Sequence, residues 1–474
     1  MRIAWFTPFT PGHGIGDYSE SITRCLAGQD DVTLFVPAEV GGQGPRPSPL
    51  PVVPLPPEPT AELLAHLAAF DVVVYNLGNH VWNHLAIYET AIRRPGIVVL
   101  HDLVMRDFFL MYFLEHKKDP AAFPRYLGYA HGAGAEALGR DVVEGRRTED
   151  LEDPVRLEYP MYKPVLRRAT GVIVHSEYSR ARVAADTAAP VRLIEFPLFG
   201  PVTEFGESVD PTPDGDDGRV RLLTFGMLGP NKLIHSTIGA IAGSDLLRRK
   251  VRFTVIGGEG NPGYGRRLRD LVAANRLESV VELVGRRSDD ELRAALAGAD
   301  VVINLRNPHF GESSASLVCS LVAGVPTVVW GHGYYAEFPD DAVVKIRAEA
   351  ELGPALERLV SNPGLRRRMG TAARAHAKAR FNTDAFCESF RVFAEQVGRG
   401  AALLSVTDRV SDILYQLGSS HLDGLADRVA AELAAMAADS GAPHADRPTA
   451  GHPPQPQPGR AGEQPKRLRL YRAA

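Results

Sequence analysis

The sequence is poor in the features that commit a chain to a disulfide framework, a membrane or a nucleic acid. Its 474 residues hold only three cysteines, Cys25, Cys319 and Cys387, far apart and without a C-x-x-C pair. That spacing argues against a disulfide scaffold or a cysteine-based metal site and suits a reducing cytoplasm. No run of 18 apolar residues occurs, so no membrane-spanning helix is expected. Neither sign of charge dominates. The 53 basic and 57 acidic residues leave a net -4, which excludes a general polycation for nucleic acid. There is no internal repeat. Met1 to Thr7, with one Arg and a short apolar run, reads as a first strand rather than an export signal.

What remains is the balance of a soluble globular protein, 45% hydrophobic and 23% charged. At roughly 150 residues per domain, two or three domains are expected. Short runs rich in Val, Ile and Phe recur between longer helical patterns. In the first half they are Ile3–Thr7, Val32–Val36, Val72–Asn76, Ile97–Leu100, Val172–His175 and Val191–Phe196. In the second they are Val220–Phe225, Val251–Ile256, Val280–Val284, Val301–Leu305, Thr327–Trp330 and Ala342–Ile346. Many are continuously apolar, as strands buried on both faces require. Ile22, Cys25 and Leu26 carry helical spacing after the first run. The alternation predicts an α/β protein with two doubly wound parallel sheets facing across a cleft.

The expected divisions are an upstream domain over 1–205, a linker over 206–219 and a downstream domain over 220–382. C-terminal helices over 383–440 and a Pro-rich, disordered tail over 441–474 complete the chain. Residues 45–59 contain eight prolines and read as an extended loop, and 101–168 as a helical excursion rich in aromatics. Thr383 is expected to cap a helix with Phe386, Phe390, Phe393 and Val397 on one face and Gly398 at its end. A second amphipathic helix is expected after Ser420.

Four stretches sit where ligands bind in such folds, beyond the carboxyl ends of strands. After the first strand, Gly12, Gly14 and Gly16 alternate before Asp17 and open a helix whose free amides suit a phosphate or sugar oxygen. The plain alternative is a flexible turn. After the fourth strand, His101 is suited to a sugar hydroxyl or a leaving oxygen, and Asp102 to its tautomer or an acceptor. The plain alternative is a hydrogen-bonded loop pair. Gly226 and Gly229 precede Lys232, a mobile cation near a helix start as a diphosphate leaving group needs, or else a solvated lysine. The segment from Arg306 through Glu312, Ser313, Ser314 and Ser316 is the most specific signal. Ser313 or Ser314 caps an apolar helix, Arg306 offers a fork of donors for phosphate, and Glu312 accepts sugar hydroxyls. A simple capped helix is the alternative. Asp214-Gly-Asp216 mimics a metal–nucleotide motif but lies in the acidic linker. Gly258-x-Gly260-x-x-Gly263 mimics a dinucleotide fingerprint, with Pro262 removing an amide and Glu282 inside a strand.

Taken in order, GHGIGDYSE (12–20), VVLHD (98–102), GVIVHSEYSR (171–180), TFGMLGPNK (224–232), FTVIGGEG (253–260), VELVGR (281–286) and LRNPHFGESSASL…AGVP (305–326) resemble the glycosyltransferase family 4 type of GT-B enzyme. The resemblance spans most of 1–400. It implies two Rossmann-like domains, an NDP-sugar donor (UDP or GDP) held mainly downstream, and a saccharide or small-molecule acceptor held mainly upstream. It also implies retention of anomeric configuration without an essential metal or cofactor.

Carried over by position, Lys232 would contact the donor diphosphate and the Gly14–Gly16 loop its phosphates and the acceptor. His101 would face the transferred sugar, and Gly285 and Arg286 the base. Glu312 would match the first Glu of the family's E-x7-E motif. The Arg usually paired with the phosphate lysine falls at Met227, with Arg306 as the substitute. The second Glu falls at Cys319 or Ser320, neither a carboxylate. The expected function is therefore metal-independent, cytoplasmic glycosyl transfer using Lys232, Arg306, Glu312 and His101. Gly14, Gly16, Gly226, Gly285, Arg286, Ser313, Ser314 and Ser316 would hold the donor, and Asp17 and Asp102 the acceptor. Another GT-B activity such as NDP-sugar epimerisation, a catalytically reduced sugar-nucleotide binding protein, and a more remote NAD-dependent oxidoreductase are the rivals. The basic end, Lys466-Arg-Leu-Arg469 with Arg472, reads as a solvated tail, with weak peripheral contact to an anionic membrane as the alternative. Oligomeric state is left open.

Overall fold

A computed structural model describes residues 1–40, 42–147, 155–199, 218–258 and 262–398. Most of the linker with Asp214-Gly-Asp216, the central part of the Gly258–Gly263 motif, the helix expected after Ser420 and the Pro-rich tail with its basic end lie outside the described residues.

The described chain builds two all-parallel sheets. The upstream strands are β1 (Arg2–Phe6), β2 (Asp31–Pro37), β3 (Val52–Leu55), β4 (Val72–Leu77), β5 (Gly96–Leu100), β6 (Ala169–Val174) and β7 (Val191–Leu193), in the order β3-β2-β1-β4-β5-β6-β7. The downstream strands are β8 (Val220–Phe225), β9 (Val251–Ile256), β10 (Val281–Gly285), β11 (Val301–Asn304), β12 (Thr327–Trp330) and β13 (Val343–Ile346), in the order β10-β9-β8-β11-β12-β13. Helices cover both faces of each sheet, which is why β1, β4, β5 and β11 read as unbroken apolar runs. This is the GT-B architecture, two Rossmann-like domains facing across a cleft. Among the described residues no helix is long and apolar enough to cross a membrane.

Three expectations are corrected. The Pro-rich stretch 45–59 is not all loop: β3 forms within it and pairs with β2, Leu34 N–H donating to Pro51 O at 2.8 Å. Proline is tolerated there because β3 is an edge strand and needs no donors on its outer side. The run Val191–Phe196 is a strand only to Leu193. Beyond it Ile194 O accepts from His175 Nδ1 at 2.8 Å, and Phe196 packs on the same imidazole. The helix over 383–398 is capped by Asn382, whose Oδ1 accepts from Ala385 N at 3.0 Å. Thr383 instead turns its hydroxyl to Leu198 O at 3.3 Å, tying the helix to the upstream domain.

That returning helix joins the two halves. Phe386, Phe390, Phe393 and Val397 are buried in one apolar cluster with Trp5, Tyr18 and Ile22 of the upstream domain and Leu317, Leu321 and Tyr334 of the downstream one. Phe390 meets Trp5 edge-on, 5.7 Å between ring centres. Gly171 on β6 has no side chain because a Cβ there would lie 2.7 Å from Val397 and 2.9 Å from Phe393. Phe390→Ala removes a fully buried ring and should destabilise the fold by about 3–5 kcal/mol. Denaturant titration of the full chain measures it, and a loss under 1 kcal/mol would remove the helix from the core.

Candidate active site

In open parallel sheets the ligand crevice opens where strand order reverses, at the carboxyl ends of the strands. Here the reversals lie between β1 and β4 upstream and between β8 and β11 downstream. The four candidate stretches leave β1, β8 and β11 at these reversals and β5 beside β4, and Arg286 leaves β10, two strands from β8.

Downstream, the turn after β8 buries Lys232, which is only 6% exposed. Its Nζ donates to Phe225 O at 2.7 Å, in the space left by Gly226, whose Cβ would lie 2.7 Å from that nitrogen and whose φ is +99°. Burial pushes the ammonium well below the usual lysine range, and the nearby Arg306 guanidinium pushes the same way. Arg306, leaving β11, pairs with Glu312 at 3.4 Å. Glu312 also accepts from Phe310 N–H at 2.5 Å. Burial raises the Glu312 carboxyl, and Arg306 and these donors oppose the rise. Ser314 caps the helix Ala315–Val322, accepting from Leu317 N–H at 3.2 Å. Asn304 Nδ2 donates to Ser316 Oγ at 3.0 Å, and Ser316 lies 3.1 Å from Ser314, which fixes the row. Ser313 stands half-buried beside them. Lys232, Arg306, Glu312 and Ser314 therefore gather at one switch point.

Upstream, the helix Gly14–Leu26 begins at His13, which provides no side-chain cap. Its first-turn amides are therefore open to a ligand. Asp17 on that turn pairs with Arg46, as does Glu20 at 3.3 Å. Burial raises the Asp17 carboxyl against the pull of Arg46. Arg286, after Gly285 on β10, reaches across the cleft and donates to Gly12 O at 3.3 Å. Gly12 has φ +68°, and a Cβ there would fall 1.7 Å from the guanidinium.

His101 follows β5. Its Nε2 lies 3.0 Å from Asn76 Oδ1, while Asn76 Nδ2 donates to Phe6 O at 2.9 Å. This pattern assigns the proton to Nε2 and leaves the Nδ1 lone pair for a hydroxyl. Burial, then the neighbouring His175, His84 and His13, hold His101 well below the usual histidine range. Asp102 Oδ2 accepts from Asn79 N–H at 2.9 Å. Burial pushes its carboxyl up to about 7, and Glu312 of the facing domain contributes. The two carboxyls thus confront each other across the cleft.

The domains are clasped around the loop before Ser313. Leu103 N–H and Val104 N–H both donate to Phe310 O, at 3.1 and 3.0 Å, and Ser179 Oγ donates to Gly311 O at 3.1 Å. Gly311 has φ +74°, and a Cβ there would lie 2.6 Å from Leu103.

Sequence reasoning missed Asn76, Asn79, His175 and the clasp. Asn76 and His175 were visible as lone polar residues ending apolar strands; the clasp is tertiary and left no local signal. Met227, where the resemblance would put an arginine, is 72% exposed. Cys319 is buried among Leu223, Phe225 and Val302, and Ser320 turns its hydroxyl back to Ser316 O at 2.8 Å. Neither supplies a carboxylate.

Two features lie apart from the cleft. Glu58, Glu89 and His116 are close enough to share a cation, but Glu89 is already met by Arg93, Lys117 and Tyr112. A hollow of about 600 Å³ lies against β13, ringed by charges of both signs including Asp340, Lys345, Arg347 and Glu351.

Residues 212–376 match the family described as glycosyl transferases group 1. A comparison with curated protein sequences finds no match. Among solved structures, sucrose-phosphate synthase from Thermosynechococcus elongatus aligns with a TM-score of 0.59 at 17% identity, over 84% of this chain and 99% of that one. HepE of Anabaena, solved with UDP-glucose, aligns at 0.58 and 16%, over 83% and 99%. WaaG, a glycosyltransferase of lipopolysaccharide biosynthesis, aligns at 0.53 and 16%, over 82% and 98%.

One prediction concerns the buried imidazoles. His175 is 3% exposed, its Nε2 has no partner among the described residues, and burial lowers its pKa to about 4. Between pH 4 and the ordinary 6.5 the unfolded chain binds the extra proton. Stability is therefore full above that window and falls as pH drops through it, by about 1.4 kcal/mol per pH unit for this group. His175→Gln should flatten the dependence of the thermal midpoint on pH, and an unchanged slope would show that His175 titrates normally.

Proposed function

We propose that this chain of GT-B fold is a glycosyltransferase that moves a sugar from a UDP- or GDP-sugar to a hydroxyl or other nucleophile of a saccharide or small-molecule acceptor, with retention of configuration and without a divalent ion. The observation that carries the reading is the gathering of two cations, Lys232 and Arg306, beside the capped helix at the downstream switch point. Opposite them open the free amides of the Gly14–Gly16 turn. One guanidinium and one ammonium group, with one carboxylate paired to the guanidinium, leave positive charge that a diphosphate neutralises. The UDP-glucose complex of HepE supports a nucleotide-sugar donor.

In this reading the bond between the anomeric carbon and the diphosphate oxygen breaks first in an oxocarbenium-like transition state. Lys232, Arg306 and the amides near Ser313 and Ser314 stabilise the charge that grows on the leaving oxygen. The acceptor oxygen attacks from the same face, and its proton passes to the departing diphosphate. His101 Nδ1 accepts a hydroxyl of the transferred sugar, and Glu312 accepts others. Gly285 and Arg286 lie at the base, and Gly226 leaves room for Lys232. Asp102 and Asp17 border the acceptor, with Asp17 acting through Arg46. The ribose is held without a motif carboxylate, so its hydroxyls bond elsewhere than in the family pattern. The clasp at Phe310 and Gly311 excludes water, which limits hydrolysis of the donor.

Lys232→Ala should lower kcat about 100-fold, the loss expected for one charged donor at a leaving group. EDTA should leave turnover unchanged. Steady-state transfer from UDP- and GDP-sugars, with mass spectrometry of products, reads both. Unchanged turnover in the variant removes Lys232 from the mechanism, and loss with EDTA overturns metal independence. A new NDP-sugar formed without acceptor would indicate an epimerase.

A further inference from the structure

We propose that Trp82 is the floor of an acceptor subsite that takes an uncharged pyranose ring, stacked on the indole at the upstream switch point. The inference rests on the glycosyltransferase reading and adds to it the chemical class of the acceptor and the residue that selects it.

Trp82 is 48% exposed, whereas Trp5 and Trp330 are 0% and 7% exposed. An indole left in water is a large unrecovered apolar area, and aromatic faces are the surface on which the C–H face of a sugar packs. Its position is not arbitrary. It lies in the first turn of the helix Val81–Ala91, directly after the carboxyl end of β4, on the edge of the sheet that carries His101, Asp102 and the Gly14–Gly16 turn.

The groups around that turn recognise hydroxyls, not charge. Asn83 Nδ2 lies 2.7 Å from His13 Nε2, bridging the β1 and β4 loops. That bond assigns the proton of His13 to Nδ1, which is buried without a partner among the described residues. It is a donor lacking an acceptor oxygen. His80, at the helix start, is exposed and provides no cap. His84 Nδ1 donates to Asn76 O at 3.1 Å, so its Nε2 keeps a lone pair. Burial keeps His13 and His84 below the ordinary histidine value. Of the cations nearby, Arg46 is paired with Asp17 and Glu20, Arg156 with Asp107, and Arg286 is held at Gly12 O. A uronate or sugar phosphate would face Asp102 and Asp107 on this wall. A neutral polyol meets a stacking surface and a ring of uncharged donors and acceptors.

The test uses the tryptophans themselves. With only Trp82 exposed, acrylamide quenching of the full chain reports on that one indole, and Trp82→Phe should remove the accessible component. Methyl α- and β-pyranosides of glucose, mannose, galactose and N-acetylglucosamine, with UDP present, are the neutral probes; glucuronate and glucose 6-phosphate are the charged ones. At least one neutral glycoside should lower the quenching constant about twofold and serve as an acceptor. Trp82→Ala should then raise the KM for that glycoside about tenfold, equivalent to ~1.4 kcal/mol, and leave the donor KM unchanged. Protection by none of the neutral glycosides, or equal protection by the charged pair, overturns the proposal. A donor KM that rises in step with the acceptor KM does the same, since it marks a merely structural residue. Calorimetric titration with UDP-sugars is independent of Trp82. Its failure would overturn the donor reading while leaving the glycoside result to stand or fall alone.

Discussion

The site depends on an electrostatic imbalance: two cations are brought together in a nearly dry place with too little negative charge to satisfy them. Lys232 is buried and, among the described residues, donates to one carbonyl, and Arg306 shares Glu312 with a backbone amide. A buried charge without a full partner is costly, and a protein retains it where a ligand completes the set. The fold meets that cost with rigid elements. The two cations leave adjacent parallel strands, β8 and β11, whose separation is fixed by the sheet. The same logic runs with opposite sign on the upstream wall. Asp102 is crowded by Glu312 and sheltered from water, so it holds its proton near neutrality, and the histidines beside it stay uncharged. One wall gathers positive charge and the other uncharged donors and acceptors.

Closure brings these walls into register, and it is accomplished largely by backbone. Two successive amides of the β5 loop converge on a single carbonyl, Phe310 O, while a serine from the helix Glu177–Asp186 holds the next one. Hydrogen bonds of this kind are individually modest and geometrically strict. They therefore fix how the lobes meet more than how strongly. The absence of a side chain at Gly311 and Gly12 lets the approach be that close.

The fold was largely legible in the sequence because parallel sheets buried on both faces write themselves as unbroken apolar runs. Val72–Tyr75, Gly96–Leu100 and Val301–Ile303 are such runs, and all three lie in central strands. β3 escaped because an edge strand tolerates the prolines that would break a central one. The Asn382 cap was misplaced by one residue because Thr383, an equally good capping type, is spent on Leu198 in the tertiary structure. At the site, Lys232, Arg306, Ser314 and His101 were readable from their positions after strands. The environment that gives them chemistry was not. The carbonyl under Lys232, the amide behind Asp102 and the tautomer of His101 depend on contacts across long stretches of chain.

The helix over 383–398 has a consequence for how the molecule comes into being. Trp5, Tyr18 and Ile22 leave the ribosome long before Phe386, Phe390 and Phe393, the rings that cover them. The upstream sheet must wait, its apolar flank open to water, while the entire second lobe is made. During that interval the nascent chain exposes a surface that chaperones bind and that other nascent chains can stick to. Cutting the gene between the lobes would make that interval permanent, so the two halves form one folding unit although each has its own sheet.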